Sequence, residues 1–359
     1  NKTRKYFVFS LNSITFANSY RNMKTKKVAR KILNIALPLI LGGAILYWMY
    51  RDFDFSSISD VLLHRMDWTW MILSFPFGIM AMVFRGLRWK QTLEPMKEKP
   101  RASVCVNAIF LSYAVSLVIP RIGEFARCGV LARHERTDFA KALGTVVTER
   151  AVDMILMLLI SFTAILLQVR VFGTFFSKTG TRLDVIVGTF STTGWIVTFI
   201  CGVAAIILVL LVLRKLSFYN KIKQTMRNLV QGILSLENVS NVPLYIFYSL
   251  SIWICYFLHF YLTFFCFDFS SDLGITCALV CFVVGSIAVI VPTPNGAGPW
   301  HFSVKTMLAL YGVAANNALY FVLIVHTVQT LLIIVMGIYA WIRLGFIARS
   351  PKNVLAGNI

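Results

Sequence analysis

A cluster of basic and acidic side chains follows a proline in the first third of the sequence. Residues 120–127 read PRIGEFAR and come directly after an apolar stretch that contains Asn107. Guanidinium groups bind phosphate through paired hydrogen bonds, so Arg121 and Arg127 are candidate phosphate ligands. Glu124 is spaced to pair with Arg127 one helical turn later, or to take up a proton or a cationic group. The alternative interpretation is a solvated cytoplasmic loop.

A second charged cluster opens a long apolar run. Glu149 and Asp153 share one helical face at i,i+4, and Arg150 reaches Asp153 at i,i+3, so the three predict a small ion network. A charge at the centre of a membrane helix costs roughly 2.5–3.5 kcal/mol on insertion scales, which makes intramembrane carboxylates candidates for function. Two interpretations stay open. One is a network in the headgroup zone where the helix starts, and the other is a site whose carboxylates hold Arg121 or Arg127.

A third cluster, residues 292–301, reads PTPNGAGPWH. Its prolines and glycines exclude a continuous helix and favour a turn that exposes backbone amides where a helix begins, a known type of anion site. His301 and Lys305 are spaced i,i+4 on that helix as a phosphate-facing or proton-handling pair. A plain turn between helices is the alternative. The candidate ligands of this cluster are Asn295, Gly296, Gly298, His301 and Lys305.

The elements that carry these clusters are predicted to be broken helices. Irregular backbone at membrane depth is tolerated only where protein or water satisfies it, so the breaks imply a cavity. His326 and Gln329 share a face of a late apolar run and are candidates to line the same cavity. The predicted structural breaks are Pro120, Gly123, Pro292 and Pro294.

Composition sets the class of protein. Of 359 residues, 58% are hydrophobic and 14% charged, with a mean hydropathy of +0.73. Soluble domains carry about 25% charged residues, whereas this chain has repeated apolar runs long enough to span a bilayer. The sequence therefore predicts an all-α polytopic membrane protein and excludes soluble enzyme folds, disulfide scaffolds and disorder.

The net charge of +20 does not predict a nucleic-acid partner. The basic residues lie between apolar runs, where they set membrane orientation and meet anionic lipid. The seven cysteines are scattered without a metal-ligand spacing, so neither a metal site nor a cofactor is expected.

Six runs are predicted as full spans, and two more are ambiguous. The ambiguous runs, 102–119 and 273–291, each end at a proline, and both can be ordinary spans in an eight-span protein. They can also be the first arms of re-entrant hairpins over 102–135 and 273–315. The six full spans are 32–50, 67–84, 145–169, 193–213, 243–266 and 319–342.

Basic residues favour the six-span model with two hairpins. It places 28 of the 35 Lys and Arg residues on the cytoplasmic side, including six within 85–101, and five outside. The eight-span model places 23 Lys and Arg residues on the cytoplasmic side and 10 outside. Because cytoplasmic loops are enriched in Lys and Arg, the hairpin model fits better, with both termini cytoplasmic.

In the hairpin model, each half of the chain has two spans, a hairpin and a third span. The halves, about 32–169 and 193–343, begin on opposite sides, which predicts an inverted-topology repeat. Many transporters use such repeats to place a site near the bilayer midplane. Residues 1–31 form a basic cytoplasmic segment, with 1–22 expected to be an upstream extension before Met23, and 344–359 form a short cytoplasmic tail.

Taken together, the three clusters resemble the lysylphosphatidylglycerol synthase transmembrane region family, also called the flippase-like domain family. The resemblance runs from about residue 31 to 346 and implies a membrane domain that handles lipids. Two positions depart from the family pattern. Asn295 stands where the family commonly has Gly, and His301 stands where it often has Glu, so a role for that carboxylate does not carry over.

The resemblance and the clusters together give a hypothesis of function. It is an inner-membrane flippase or scramblase for an anionic phospholipid or a polyprenyl-phosphate-linked lipid, without an ATP-binding motif. One alternative is a membrane-embedded transferase with Glu124 or Glu149 as general base. Another is a non-catalytic partner of a separate lipid synthase. The soluble aminoacyl-transferase domain of some family members is not expected in this chain, so lysyl-lipid synthesis by it alone is not expected either.

Overall fold

The chain is helical throughout the part that the structure describes. The structure is a computed structural model that describes residues 40, 43–51, 58–168, 239 and 241–347, and it contains no strand there. The predicted span 193–213 and segment 1–31 lie outside these residues. Of the predicted span 32–50, residues 40 and 43–50 are described and are helical.

Eight helices of twelve or more residues make up the described fold. Short 3₁₀ turns continue two of them, so that the candidate membrane spans run Trp68–Met96, Phe139–Leu167, Val242–Cys266 and Ala315–Phe346. Four of the predicted spans are thus confirmed as long apolar helices. The eight helices are α1 (Trp68–Leu93), α2 (Ala102–Val118), α3 (Ile122–His134), α4 (Phe139–Leu167), α5 (Val242–Tyr261), α6 (Gly274–Ala288), α7 (Pro299–Leu310) and α8 (Ala315–Phe346).

Helix α1 corrects one boundary of the sequence analysis. We expected the span to end at residue 84, with Arg85 and Arg88 in a cytoplasmic loop, but the helix continues to Leu93 with both arginines buried inside it. The Asp67 side chain caps its start by accepting from the Thr69 amide at 2.8 Å. Gly86 follows Arg85 directly, but a single glycine is tolerated inside a helix, and the first proline after Arg85 is Pro95, two residues beyond the end of the helix.

The predicted break at 120–123 joins α2 and α3 into a tight helical hairpin. Arg121 has a left-handed backbone (φ 64°), which reverses the chain direction between the two helices. A Cβ on Gly123 would collide with the Ser112 carbonyl oxygen and the Ser116 hydroxyl of α2. Only glycine permits this close approach, so Gly123, which we predicted as a structural break, instead lies in the first turn of α3 and lets the two helices touch.

A second hairpin joins α6 and α7 through the proline and glycine turn. The turn contains a short 3₁₀ segment, Pro294–Gly296, with Asn295 left-handed (φ 52°), and Pro299 occupies the first position of α7. Asparagine tolerates this backbone better than most residues, so the turn forms here without a glycine at position 295. Helices α2 and α6, with 17 and 15 residues, are shorter than the roughly 20 residues typical of a transmembrane helix.

The order long helix, hairpin, long helix occurs twice, and so does the packing. Helices α1 and α5 pack against each other, α2 packs against α8, and α6 packs against α4. Within each hairpin the second helix packs on the long helix that follows it, as α3 does on α4 and α7 on α8. The 294–296 turn also contacts α2, so the second turn reaches the first hairpin.

Candidate functional site

The carboxylates of α4 lie in a buried ion cluster with arginines of α1. Asp153 Oδ2 is 2.6 Å from Arg85 Nη1, and Asp153 Oδ1 is 2.7 Å from Arg88 Nη2. The side chains of Arg85 and Asp153 are below one-tenth exposed, and that of Arg88 is fully buried. Arg85 precedes Asp153 by 68 positions in the chain and Arg88 precedes it by 65, so only the tertiary fold brings the charges together.

Arg127 of α3 extends the cluster to the first hairpin. Its Nη1 donates to Glu149 Oε2 at 2.8 Å, and its guanidinium lies 4.5 Å from the centre of the Trp89 ring. Arg88 Nε approaches the other Glu149 oxygen at 3.7 Å. Arg127 keeps Nε and Nη2 without a hydrogen-bond partner in the described part of the chain. The arrangement confirms the expectation that an α4 carboxylate holds Arg127 in place.

The cluster carries more positive than negative charge. It comprises three buried guanidinium groups and two buried carboxylates, and no further carboxylate of a described residue lies within ion-pair distance of the arginines. A buried charge without a partner is costly, and its field is poorly screened at low dielectric. The cluster is therefore suited to attract an anion. The five residues of this ion cluster are Arg85, Arg88, Arg127, Glu149 and Asp153.

Glu124 pairs differently from the sequence expectation. Its carboxylate is 2.8 Å from Arg150 Nε instead of pairing with Arg127, because Arg127 is directed at Glu149 on the neighbouring helix. Arg150 also lies 3.6 Å from Asp153, so the predicted contact within α4 is present but long. The Arg150 and Glu124 side chains are 45% and 28% exposed, so this pair forms the accessible rim of the ion cluster.

Polar groups of α2 and α5 support the arginines from the other side. The Tyr256 hydroxyl donates to the Tyr113 hydroxyl at 2.7 Å, and the Arg85 guanidinium lies 5.9 Å from the Tyr256 ring centre. Ser249 accepts from Arg88 Nη1 at 3.3 Å. The second half of the protein therefore contributes directly to the environment of the cluster.

Arg121 and Asn107 occupy different settings. Arg121 is exposed, and its Nη2 donates to the Ile290 carbonyl at 3.2 Å, which ties the turn of the first hairpin to that of the second. Asn107 is buried within α2, where its Nδ2 donates to the Ser103 carbonyl at 2.7 Å. Its Oδ1 has no hydrogen-bond partner in the described residues, so it is a free acceptor inside the protein.

The second turn holds a neutral polar cluster. Asn295 Nδ2 donates to the Thr330 hydroxyl at 2.7 Å, and His326 Nε2 lies 3.1 Å from the Asn295 carbonyl oxygen. The His301 and His326 rings are 4.5 Å apart between centres. The structure thus joins Asn295, His301 and His326, which are candidates from the sequence, with Thr330, which is not. Asn295, His301, His326 and Thr330 form this neutral cluster.

The backbone amides of the turn are used within it. Gly296 and Ala297 donate to the Thr293 and Pro294 carbonyls at 3.1 and 2.9 Å, and the Gly298 amide lies 3.4 Å from His301 Nδ1. The amides of residues 296–298 therefore do not form the expected exposed nest, because they bond within the turn. His301 is buried against His326, and no hydrogen bond joins it to Lys305 in the described structure, so a shared role of His301 and Lys305 stays a prediction.

Sequence reasoning missed Arg85, Arg88, Tyr113, Tyr256 and Thr330. A usable signal existed for the two arginines, since they are spaced i,i+3 directly after an apolar run and no proline follows until Pro95. For the tyrosines and the threonine, no local pattern distinguishes them from ordinary helix residues. No group of three or more metal-ligating side chains occurs in the described ranges.

The apolar helices, the paired hairpins and the buried ion cluster define a multi-pass helical membrane protein. The family model described as the lysylphosphatidylglycerol synthase TM region matches residues 35–337. The chain belongs to this family, as the sequence motifs indicated, and family membership suggests a lipid-related membrane function. No curated protein and no solved structure shows significant similarity to the chain.

Proposed function

We propose that this protein moves lipids across the membrane as a flippase or scramblase. Its substrate is an anionic phospholipid or a polyprenyl-phosphate-linked lipid, bound through the phosphate between the two hairpins. The observation that carries this proposal is the positive excess of the ion cluster, which is buried on α1, α3 and α4 and whose Arg127 lies within two helical turns of the first hairpin's break.

The chemistry of the cluster suits a phosphate. Arg127 has two unpartnered donors, and a phosphate oxygen offers a charged acceptor for such planar forks. One phosphate with a single negative charge would balance the three guanidinium groups against the two carboxylates. In this proposal Glu149 and Asp153 orient the arginines and keep the cluster from carrying a larger uncompensated charge.

Access to the cluster runs past the rim. Arg121 is the exposed cation at the turn, and the Glu124–Arg150 pair lies between solvent and the buried charges. A headgroup first contacts Arg121, and its phosphate then replaces the Glu124 carboxylate as the partner of Arg150. Because Arg127 is buried in this structure, the bound phosphate reaches it only when the hairpin moves away from α4.

The repeated packing supports an inverted repeat as the device for that movement. In such a repeat α2 corresponds to α6 and α4 corresponds to α8, so the α2–α8 contact of one half has its counterpart in the α6–α4 contact of the other. The two turns touch through Arg121 and Ile290. In the proposed cycle each hairpin is re-entrant and opens toward one leaflet while the other stays closed. Both termini are cytoplasmic in the inner membrane, and a separate lipid-modifying enzyme supplies or consumes the lipid.

The transport test uses purified protein in sealed proteoliposomes with labelled lipids of several headgroup classes. We expect one anionic class to move and Arg121→Gln to abolish that movement, whereas Arg136→Gln on the exposed end of the same hairpin leaves it unchanged. No movement of any class, or equal movement in both variants, contradicts the proposal. Lipid conversion in detergent would favour a transferase instead, although Glu124 and Glu149 are both engaged by arginines here.

The topology test labels a single cysteine at position 136 in a background without the native cysteines. The re-entrant hairpin predicts labelling from the cytoplasmic side only. Labelling from the outer side contradicts it and supports eight spans.

A further inference from the structure

A groove lies between the first hairpin and the end of α8. Its volume is about 600 Å³, within the usual size range of ligand pockets. The groove is separate from the ion cluster, since none of the five cluster residues lines it. The principal lining residues of this α3–α8 groove are Leu111, Gly129, Val130, Arg133, Trp341 and Gly345.

Two glycines keep the groove open. A Cβ placed on Gly129 of α3 or on Gly345 of α8 would meet no atom within 4 Å. On α3, residues 126, 129, 130 and 133 recur at helical spacing and share one face, whereas Arg127 points from another face toward α4. The hairpin therefore presents its charged face inward and its small-residue face to the groove.

The groove has an apolar body and a cationic end. Leu111, Val130 and Trp341 supply apolar surface, and Trp341 is 70% exposed. Arg133 has no carboxylate within ion-pair distance among the described residues, because the nearby Glu135 pairs with Arg101 at 2.7 Å. An exposed tryptophan beside a basic residue is typical of the membrane interface.

We infer that this groove is a binding site for a resident anionic phospholipid. The lipid places an acyl chain along the apolar body and its phosphate against Arg133. Helix α8 is a candidate membrane span, so the apolar part of the groove opens where lipid is the surrounding medium. This site is distinct from the proposed transport path, and it does not depend on the protein being a transporter.

The test measures retention of added phospholipid by native mass spectrometry of the full chain in detergent. We expect phosphatidylglycerol to be retained about five-fold more than phosphatidylcholine, and Arg133→Gln to remove this headgroup preference. Filling the groove with Gly129→Leu, or from the other helix with Gly345→Leu, should abolish retention of both lipids. Circular dichroism and thermal unfolding check that each variant is folded.

Two matched controls separate this site from other lipid contacts. Arg136→Gln removes an exposed cation three residues from Arg133 and should leave the preference intact. Arg121→Gln should also leave retention intact, even if it abolishes transport. Unchanged retention in a folded groove-filling variant overturns the inference. Loss of retention in Arg121→Gln alone identifies the bound lipid as the transported one and overturns it as well.

Discussion

The two hairpins share a backbone design but differ in their chemistry. Each turn contains one left-handed non-glycine residue, Arg121 in the first and Asn295 in the second. In each, the helix after the turn contacts the following long helix, through Arg127 and Glu149 in the first half and through His301 and His326 in the second. The first contact is ionic and the second is neutral.

The long helices repeat this difference at the same spacing. Glu149 and Asp153 are i,i+4 on α4, and His326 and Thr330 are i,i+4 on α8. Burying charge requires opposite charge nearby, so the first half needs the arginines of α1 as well. The neutral half needs only hydrogen-bond partners. The comparison teaches that a common broken-helix frame can carry a buried ion cluster in one half and a neutral hydrogen-bonded cluster in the other.

The largest expected effect comes from removing a carboxylate of the ion cluster. Glu149→Gln removes one carboxylate and leaves Arg127 and Arg88 with one fewer partner, which should destabilise the fold by about 3–5 kcal/mol. The matched change in the neutral cluster, His326→Gln, should cost about 1 kcal/mol, because only neutral hydrogen bonds change. The measurement is the thermal unfolding midpoint of both variants in one detergent. Equal shifts would remove the proposed difference between the hairpins.

A second variant tests the charge excess. Arg127→Gln leaves two guanidinium groups for two carboxylates, so we expect a smaller cost than for Glu149→Gln, about 1–3 kcal/mol. Lipid transport should nevertheless be lost, since the unpartnered donors are gone. Unfolding and transport are measured on the same preparation. A folded Arg127→Gln protein with full transport would show that the excess charge is not used.

The third prediction concerns the close approach within the first hairpin. Gly123→Ala places a methyl group against the Ser112 carbonyl and should destabilise by about 1–3 kcal/mol. Gly129→Ala on the same helix faces open space and should be neutral or stabilising by up to ~1 kcal/mol, because alanine favours helix. Unfolding midpoints that move in the same direction would contradict this geometry.

The smallest expected effect concerns the left-handed backbone that the two turns share. Asn295→Gly and Asn295→Ala both lose the bond to Thr330, but only alanine adds the left-handed penalty of roughly 1–2 kcal/mol. The glycine variant should therefore unfold at the higher temperature. Arg121→Gly should likewise unfold at a higher temperature than Arg121→Ala. A reversed order at either turn would show that its backbone is not left-handed in solution.

Much of the frame could be predicted from the sequence because the signals are local. Long apolar runs predicted α4, α5 and α8, and prolines and glycines located both turns. The end of α1 was misplaced because charged residues were assumed to lie outside the membrane. That assumption fails when a distant helix supplies carboxylates, as α4 does for Arg85 and Arg88.

The sequence by itself determined the membrane class, the family and the positions of the broken helices. The class follows from composition, the broken helices follow from neighbouring residues, and the family follows from the resemblance of the three clusters to its motifs. Only the tertiary structure decided the partners, namely that Glu124 binds Arg150, that Arg127 binds Glu149, and that Asp153 joins two arginines of α1. The physical reason is that helical spacing fixes which residues share a face, whereas packing between helices decides which faces meet.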